Sequence, residues 1–282
     1  MDTQQIEIRE QQKASWDKFS PGWKKWDGFT MKFLKPMGDE IIKMLQVKPT
    51  DHVLDIATGT GEPGLTIAGM ANKGKVTGTD VSTGMIAIAT ENAKAKGLSN
   101  YTATVADVCE LPFADKSFDA ISCRMGFMFF PDMLLAAKEM YRVLKPGGRM
   151  ATSVWDGPEN NAWITMMMGV LKANVEMPAP QPGAPGMFRC AAPGMISGLL
   201  KEAGFHHLQE KKVGGAVEYD NAGHYWKMMT EVAAPVVAAM GQADEATKEK
   251  IKNDLYTSLE NKYGNDEIAM PYQSIVIYGE KP

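Results

Sequence analysis

Gly59, Gly61 and Gly64 stand at the spacing G-x-G-x-x-G within Leu54-Asp55-Ile56-Ala57-Thr58-Gly59-Thr60-Gly61-Glu62-Pro63-Gly64. Glycines placed so after a strand let backbone approach a ligand closely, and the N-terminus of the helix that follows offers unpaired N–H groups to an anion. The pattern alone suits any nucleotide-like ligand, dinucleotides included. Asp80, 21 residues after Gly59, ends the next apolar run, where a carboxylate can accept both hydrogens of a ribose diol. Asp55 lies inside the run ahead of the glycines, where a dinucleotide site carries an apolar residue. A carboxylate there repels a pyrophosphate and attracts an ammonium. Asp107 ends a third run, in Ala106-Asp107-Val108-Cys109. Carboxylates at three consecutive strand ends meet in one crevice above the carboxyl edge of a parallel sheet. Such a crevice suits a ligand with an ammonium, a ribose and an exocyclic adenine amine.

Proton acceptors are few. Of the four histidines, His224 is the candidate general base, followed by His206 and His207, because an unperturbed imidazole titrates near neutrality. His52 opens the first strand and falls at the wrong edge of the sheet. Aromatic residues gather where a covering layer is expected: Trp16, Trp23 and Trp26 early, Phe127, Phe129 and Phe130 after the fourth strand, then Trp155, Trp163 and Phe188. Trp16, Trp23, Phe127, Trp155, Trp163 and Phe188 are the candidate pocket residues. Their rings would exclude water and tolerate a cation by about 0.5–2 kcal/mol. Met166, Met167 and Met168 could line an adaptable pocket, although consecutive helical residues face different ways. No histidine and carboxylate set stands at metal-ligand spacing, so no metal is expected.

The elements that must position these groups alternate. Strands are expected at 52–57, 75–80, 101–106, 118–123 and 149–155. Ser82 and Asp132 are N-caps of intervening helices and Gly97 is a helix stop. Strand–helix alternation predicts an α/β fold with a doubly wound, mostly parallel sheet covered on both faces. Residues 1–47 read as an amphipathic helical segment and 48–155 as the ligand-binding core. A helical and proline-rich insertion is expected at 156–199, with five prolines and three glycines between 178 and 195. The chain returns to the sheet at 200–220, through a strand near 207–213. A helical lid insertion of two helices is expected at 221–271, and a closing strand within 272–282, centred on 273–278.

Composition sets outer limits. The 282 residues, 44% hydrophobic and 23% charged, are those of an ordinary globular chain long enough to fold without disulfide or metal staples. A net charge of −4, with basic residues clustered only in pairs such as Lys24-Lys25 and Lys211-Lys212, argues against nucleic acid as a partner. Cys109, Cys123 and Cys190 are widely spaced, which suits a reducing compartment. The polar start Met1-Asp2-Thr3-Gln4-Gln5 lacks a signal-peptide core, and the longest apolar stretch, Val232 to Met240, is far too short for a membrane span. A cytoplasmic protein without a membrane span is expected. Oligomeric state is not legible.

With Asp55, the glycine turn, Asp80, Asp107 and Lys145-Pro146-Gly147-Gly148 in this order, the sequence resembles the class I S-adenosylmethionine-dependent methyltransferases, nearest to the quinone-biosynthesis C-methyltransferases and small-molecule methyltransferases. The likeness is close over 50–155 and loose over 193–205. It implies a seven-stranded sheet whose last strand is antiparallel, and S-adenosyl-L-methionine as cofactor. It further implies that backbone at Ala57, Gly59, Thr60 and Gly61 approaches the methionine half, and that Asp55 orients its ammonium. Asp80 would hold the ribose, Val81 and Met85 the adenine face, and Asp107 and the Val108 N–H the adenine edge. Arg124 would sit by the methionine carboxylate or the reacting methyl. The function implied is in-line methyl transfer to a small, apolar or aromatic O-, C- or N-acceptor in a water-excluded pocket. A non-catalytic binder of the same cofactor and a nicotinamide-dependent oxidoreductase are the alternatives. Asp55 inside the strand and Asp107 weigh against the second.

Overall fold

A computed structural model describes residues 2–176, 183–264 and 267–282. Seven strands form one sheet: β1 (His52–Ile56), β2 (Lys75–Asp80), β3 (Tyr101–Val105), β4 (Phe118–Arg124), β5 (Leu144–Trp155), β6 (His206–Tyr219) and β7 (Ile268–Glu280). Their order is β3-β2-β1-β4-β5-β7-β6, with β7 antiparallel to both neighbours and β1 to β5 mutually parallel. The strand order reverses beside β1, so the ends of β1 and β4 border the crevice in which such sheets bind ligands.

Helices cover both faces: α1 (Thr3–Lys25), α2 (Asp27–Leu45), α3 (Gly64–Met70), α4 (Thr83–Ala95), α5 (Met133–Val143), α6 (Ala162–Asn174), α7 (Met195–Glu202), α8 (Ala222–Val232), α9 (Ala234–Gln242) and α10 (Glu245–Tyr263). Local chemistry sets their ends. The Ser82 hydroxyl accepts from the Met85 N–H at 3.1 Å and the Asp132 carboxylate from the Leu135 N–H at 2.8 Å, while Gly97, in the left-handed region at φ +68°, follows the end of α4. β1 alternates between two cores. Val53 packs with Ile41, Leu45 and Ile67 on one face, and Leu54 and Ile56 with Ile121, Met140 and Leu144 on the other. Both faces of this central parallel strand are thus dry, as its apolar residues require.

Three boundaries differ from the sequence reading. The segment expected to hold two helices before the closing strand holds three, because Ala233 is extended and Pro235 starts α9. The lid insertion does not run to 271, since β7 begins at Ile268. The division at 199/200 falls inside α7. β6 and β7 are also twice the expected length. β5 pairs with β7 only as far as Trp155 and Ser274, and beyond it 214–219 and 268–273 pair with each other alone, as an arm above the sheet. Gly214-Gly215 and Pro271 fall just outside the expected strands. Gly215 makes room for the Tyr272 ring, and Pro271 sits where β7 has a neighbour on one side only, an edge at which proline is tolerated. Part of the proline-rich stretch, 177–182, lies outside the described residues.

Candidate active site

The glycine turn is built around Asp55. Its carboxylate is fully buried and accepts hydrogen bonds from Thr58 Oγ1 (2.5 Å), Ser122 Oγ (2.6 Å) and the Gly64 N–H (3.2 Å). Burial pushes it up to about 6, against these bonds and the nearby Arg124 guanidinium. A Cβ on Gly64 would stand 2.7 Å from Asp55 Oδ2, so glycine is required for this close approach. Asp55 therefore pins the turn from beneath and does not line the cavity, which corrects the expectation that it meets a ligand ammonium. Gly61 is likewise off the cavity, packed on Leu65. Ala57, Gly59 and Thr60 do line it. Gly59 lies at φ +54°, and the space beside its Cα is open.

Asp80 accepts from the Gly59 N–H at 3.1 Å and the Ser82 N–H at 2.9 Å, which fixes its carboxylate at the mouth of the turn while leaving lone pairs free. Burial pushes it up to about 6 as well, in spite of those two donors. Val81 and Met85 stand beside it on the cavity wall. Asp107 accepts from the Cys109 N–H at 2.8 Å, and Arg9 of α1 reaches it at 3.5 Å. Val108 lines the cavity next to it.

Arg124, at the end of β4, donates to the Leu34 carbonyl at 3.5 Å and lies 3.1 Å from the Met31 sulfur. Burial lowers the pKa of its guanidinium, opposed by the charges of Asp55, Glu62 and Asp27. Among the described residues no carboxylate comes within ion-pair distance of it. A guanidinium bonded only to a carbonyl and a thioether keeps donors for a ligand carboxylate.

Four of the six candidate pocket residues, Trp16, Trp23, Trp155 and Trp163, line the cavity. Trp16 meets Phe129 edge-on at 5.2 Å, and Phe33 stacks on Trp155 at 5.6 Å and meets Trp163 edge-on at 5.1 Å. Phe127 and Phe188 do not line it. Phe127 is buried beneath Phe130, and Phe188 packs against the core. Met166, Met167 and Met168 are also away from the cavity, with Met167 in the core. Met31, Met128, Met187 and Met228 take the place foreseen for them.

His224 is not at the cavity either. Asn221 caps α8 by accepting from the His224 N–H, and the ring is held over Trp26 (5.4 Å) and Phe29 (5.0 Å), with Nδ1 3.1 Å from Asp220. It cannot serve as a base there. His206 and His207 are exposed on β6, and His52 packs on Phe118 at the far edge. Sequence reasoning missed Arg9, Met31, Phe33 and the α8–α9 joint (Val232 to Pro235). Phe33 and Met31 could have been found from the apolar face of α2. Nothing local marks Arg9, whose partner lies 98 positions away.

This arrangement, a turn open at Gly59 with Asp80 and Asp107 on successive strand ends, meets a matching sequence pattern. Residues 53–148 match the methyltransferase domain. This segment, about a third of the chain, carries the pattern of a methyltransferase domain. The glycine turn, Asp80 and Asp107 all fall within the matched segment. The chain is 32% identical over 149 residues to a demethylmenaquinone methyltransferase of Listeria welshimeri, covering 52% of this chain and 63% of that one. The match thus spans less than two thirds of the relative's length. The fold is similar to that of the YcgJ protein of Bacillus subtilis (TM-score 0.58, 19% identity, 87% of this chain and 97% of that one). It is also similar to a Haemonchus contortus phosphoethanolamine N-methyltransferase in complex with S-adenosylhomocysteine (TM-score 0.52, 18% identity, 87% and 52%). The methyltransferase domain proper ends before Trp155, so α1, α2, α6, α8 and α9, which wall the cavity, lie outside the matched segment.

Proposed function

We propose that this methyltransferase moves a methyl group from S-adenosylmethionine to a small, apolar or aromatic acceptor held against the cavity's aromatic wall. The observation that carries the reading is one cavity in which the Ala57–Thr60 turn, Asp80, Asp107 and Arg124 share space with Phe33, Trp155 and Trp163. When bound, the cofactor supplies an electrophilic methyl on a sulfonium. Asp80 accepts the ribose hydroxyls, Val81 and Met85 flank the adenine, and Asp107 with the Val108 N–H reads its edge. Arg124 holds the methionine carboxylate. The ammonium falls to backbone of the turn and to Glu62, a carboxylate that lines the cavity where Asp55 does not.

The remaining task of the chain is alignment and exclusion of water. Holding both partners in line can supply about 7–11 kcal/mol of the barrier. The helical segments 2–47 and 221–264 form the lid, since Trp16, Trp23 and Phe33 from one and Met228 to Pro235 from the other line the same cavity as the sheet edge. The acceptor is a small molecule. The name of the Listeria relative makes quinone precursors the first to try. No helix among the described residues is long and apolar enough to cross a membrane, and no group of three metal-ligating side chains occurs among them.

Calorimetric titration with S-adenosylhomocysteine and with NAD, followed by transfer of labelled methyl to phenols, quinone precursors and amines, tests the reading. Binding of the first nucleoside alone and label in a small-molecule product are expected. Binding without transfer to any acceptor would favour a non-catalytic binder.

A further inference from the structure

Charge is unevenly placed in the cavity. Glu62, Asp80, Asp107 and Arg124, with Arg9 of α1 beside Asp107, follow the ends of β1 to β4, the part given above to the cofactor. The lining from α2, β5, α6 and the α8–α9 joint is apolar apart from Thr30, and includes Phe33, Trp155, Trp163, Met228, Val232 and Pro235. Among the described residues no histidine, lysine, cysteine or tyrosine lines any part of the cavity. Residues 177–182 read Met-Pro-Ala-Pro-Gln-Pro and carry no titratable side chain. His224 is turned onto Trp26 and Phe29, and burial pushes the Cys123 and Cys190 thiols up to about 12 and about 11.

These apolar side chains can neither take a proton from an acceptor nor solvate a charge. The three rings among them also pack on one another, Phe33 on Trp155 and Trp163 against both, instead of standing apart as a cage for a cation. Building on the methyltransferase reading, we propose that the acceptor is an acidic hydroxyl compound, a phenol, enol or hydroquinone, which loses its proton to water before entering and reacts as the oxyanion. The sulfonium is its counter-charge. In the step, an oxygen lone pair forms the new O–CH3 bond, and the C–S bond breaks with its electron pair returning to sulfur. A cation and an anion become two neutral products, so no proton needs a protein acceptor. In a dry cavity this pairing is attractive before transfer, and both charges are gone after it. Transfer to a neutral amine would leave a positive charge against hydrocarbon.

The test is the pH dependence of kcat/KM for ring-substituted phenols and hydroquinones whose own pKa values differ widely, at saturating S-adenosylmethionine so that titration of Asp80 is silent. The rate should rise about tenfold per pH unit below each acceptor's own pKa and level off above it, with the inflection moving from acceptor to acceptor. An inflection at one pH for every hydroxyl acceptor would overturn the proposal, because it reports a base in the protein. So would methylation of amines in preference to hydroxyl compounds. Binding of S-adenosylhomocysteine with no hydroxyl compound methylated would overturn the acceptor class and leave the cofactor site standing. Failure to bind S-adenosylhomocysteine would strike the methyltransferase reading itself.

Discussion

The Asp55 carboxylate accepts the Gly64 N–H at 3.2 Å across nine residues, closing the glycine turn onto the strand that launches it. The same Oδ2 takes the Thr58 hydroxyl at 2.5 Å, and Oδ1 takes that of Ser122 on the neighbouring strand. One buried acid thus sets where Gly59 and Thr60 stand.

Gly64→Ala should lower stability by about 1–3 kcal/mol, since its Cβ meets Asp55 at 2.7 Å in a packed interior. Asp55→Ala should cost at least as much, by leaving the Thr58 and Ser122 hydroxyls and the Gly64 N–H buried without their acceptor. Chemical denaturation midpoints check both. Wild-type midpoints would show that the turn is held by something else.

Asp80→Asn should leave the fold intact and weaken S-adenosylhomocysteine binding at least tenfold. Burial raises this carboxyl to about 6 from an ordinary value of about 4. Between those pH values the folded state holds more protons than the unfolded one, so this group's contribution to stability falls as pH rises through the window. The stability difference between Asp80→Asn and wild type should therefore change across that window and stay flat above it. Nucleoside affinity should move the other way, growing as the carboxylate ionises. Denaturation and calorimetry at stepped pH measure the two trends.

Phe33→Leu should raise the acceptor KM several-fold while leaving S-adenosylhomocysteine affinity unchanged, because Phe33 lines the cavity from α2 and stacks on Trp155, apart from the β1–β3 ends proposed to hold the nucleoside. Loss of the stacked ring on Trp155 costs about 0.5–1.5 kcal/mol of stability in addition to the lost area. Steady-state kinetics beside a cofactor titration separates the two halves of the cavity.

His224→Gln should keep kcat within about twofold of wild type and leave the pH profile unmoved, because a group outside hydrogen-bond reach of the cavity transfers no proton in it. A modest drop in thermal midpoint is expected from lost packing on Trp26 and Phe29. A lost basic limb in the profile would restore the histidine as a base.

The parallel core was legible because its signals are local. Apolar runs ending in Asp80, the cap at Ser82 and the left-handed Gly97 each act within a few residues. What escaped depends on contacts between distant segments. Asp55 looks the same in sequence whether it faces a ligand or the Ser122 hydroxyl 67 positions away. His224 is a plausible base until Trp26 and Phe29 are seen to occupy its faces. Gly214-Gly215 and Pro271 break a strand by propensity, yet pairing with a single neighbour absorbs them. The aromatic wall is assembled from α2, β5 and α6, so its composition was visible and its pairing was not.

The most direct measurement is a crystal structure with S-adenosylhomocysteine bound. The ribose hydroxyls should lie on the Asp80 carboxylate, the adenine amine on Asp107 and the methionine carboxylate on Arg124, with the sulfur facing Phe33, Trp155 and Trp163. A nucleoside bound elsewhere, or one whose ribose makes no contact with Asp80, would contradict the account.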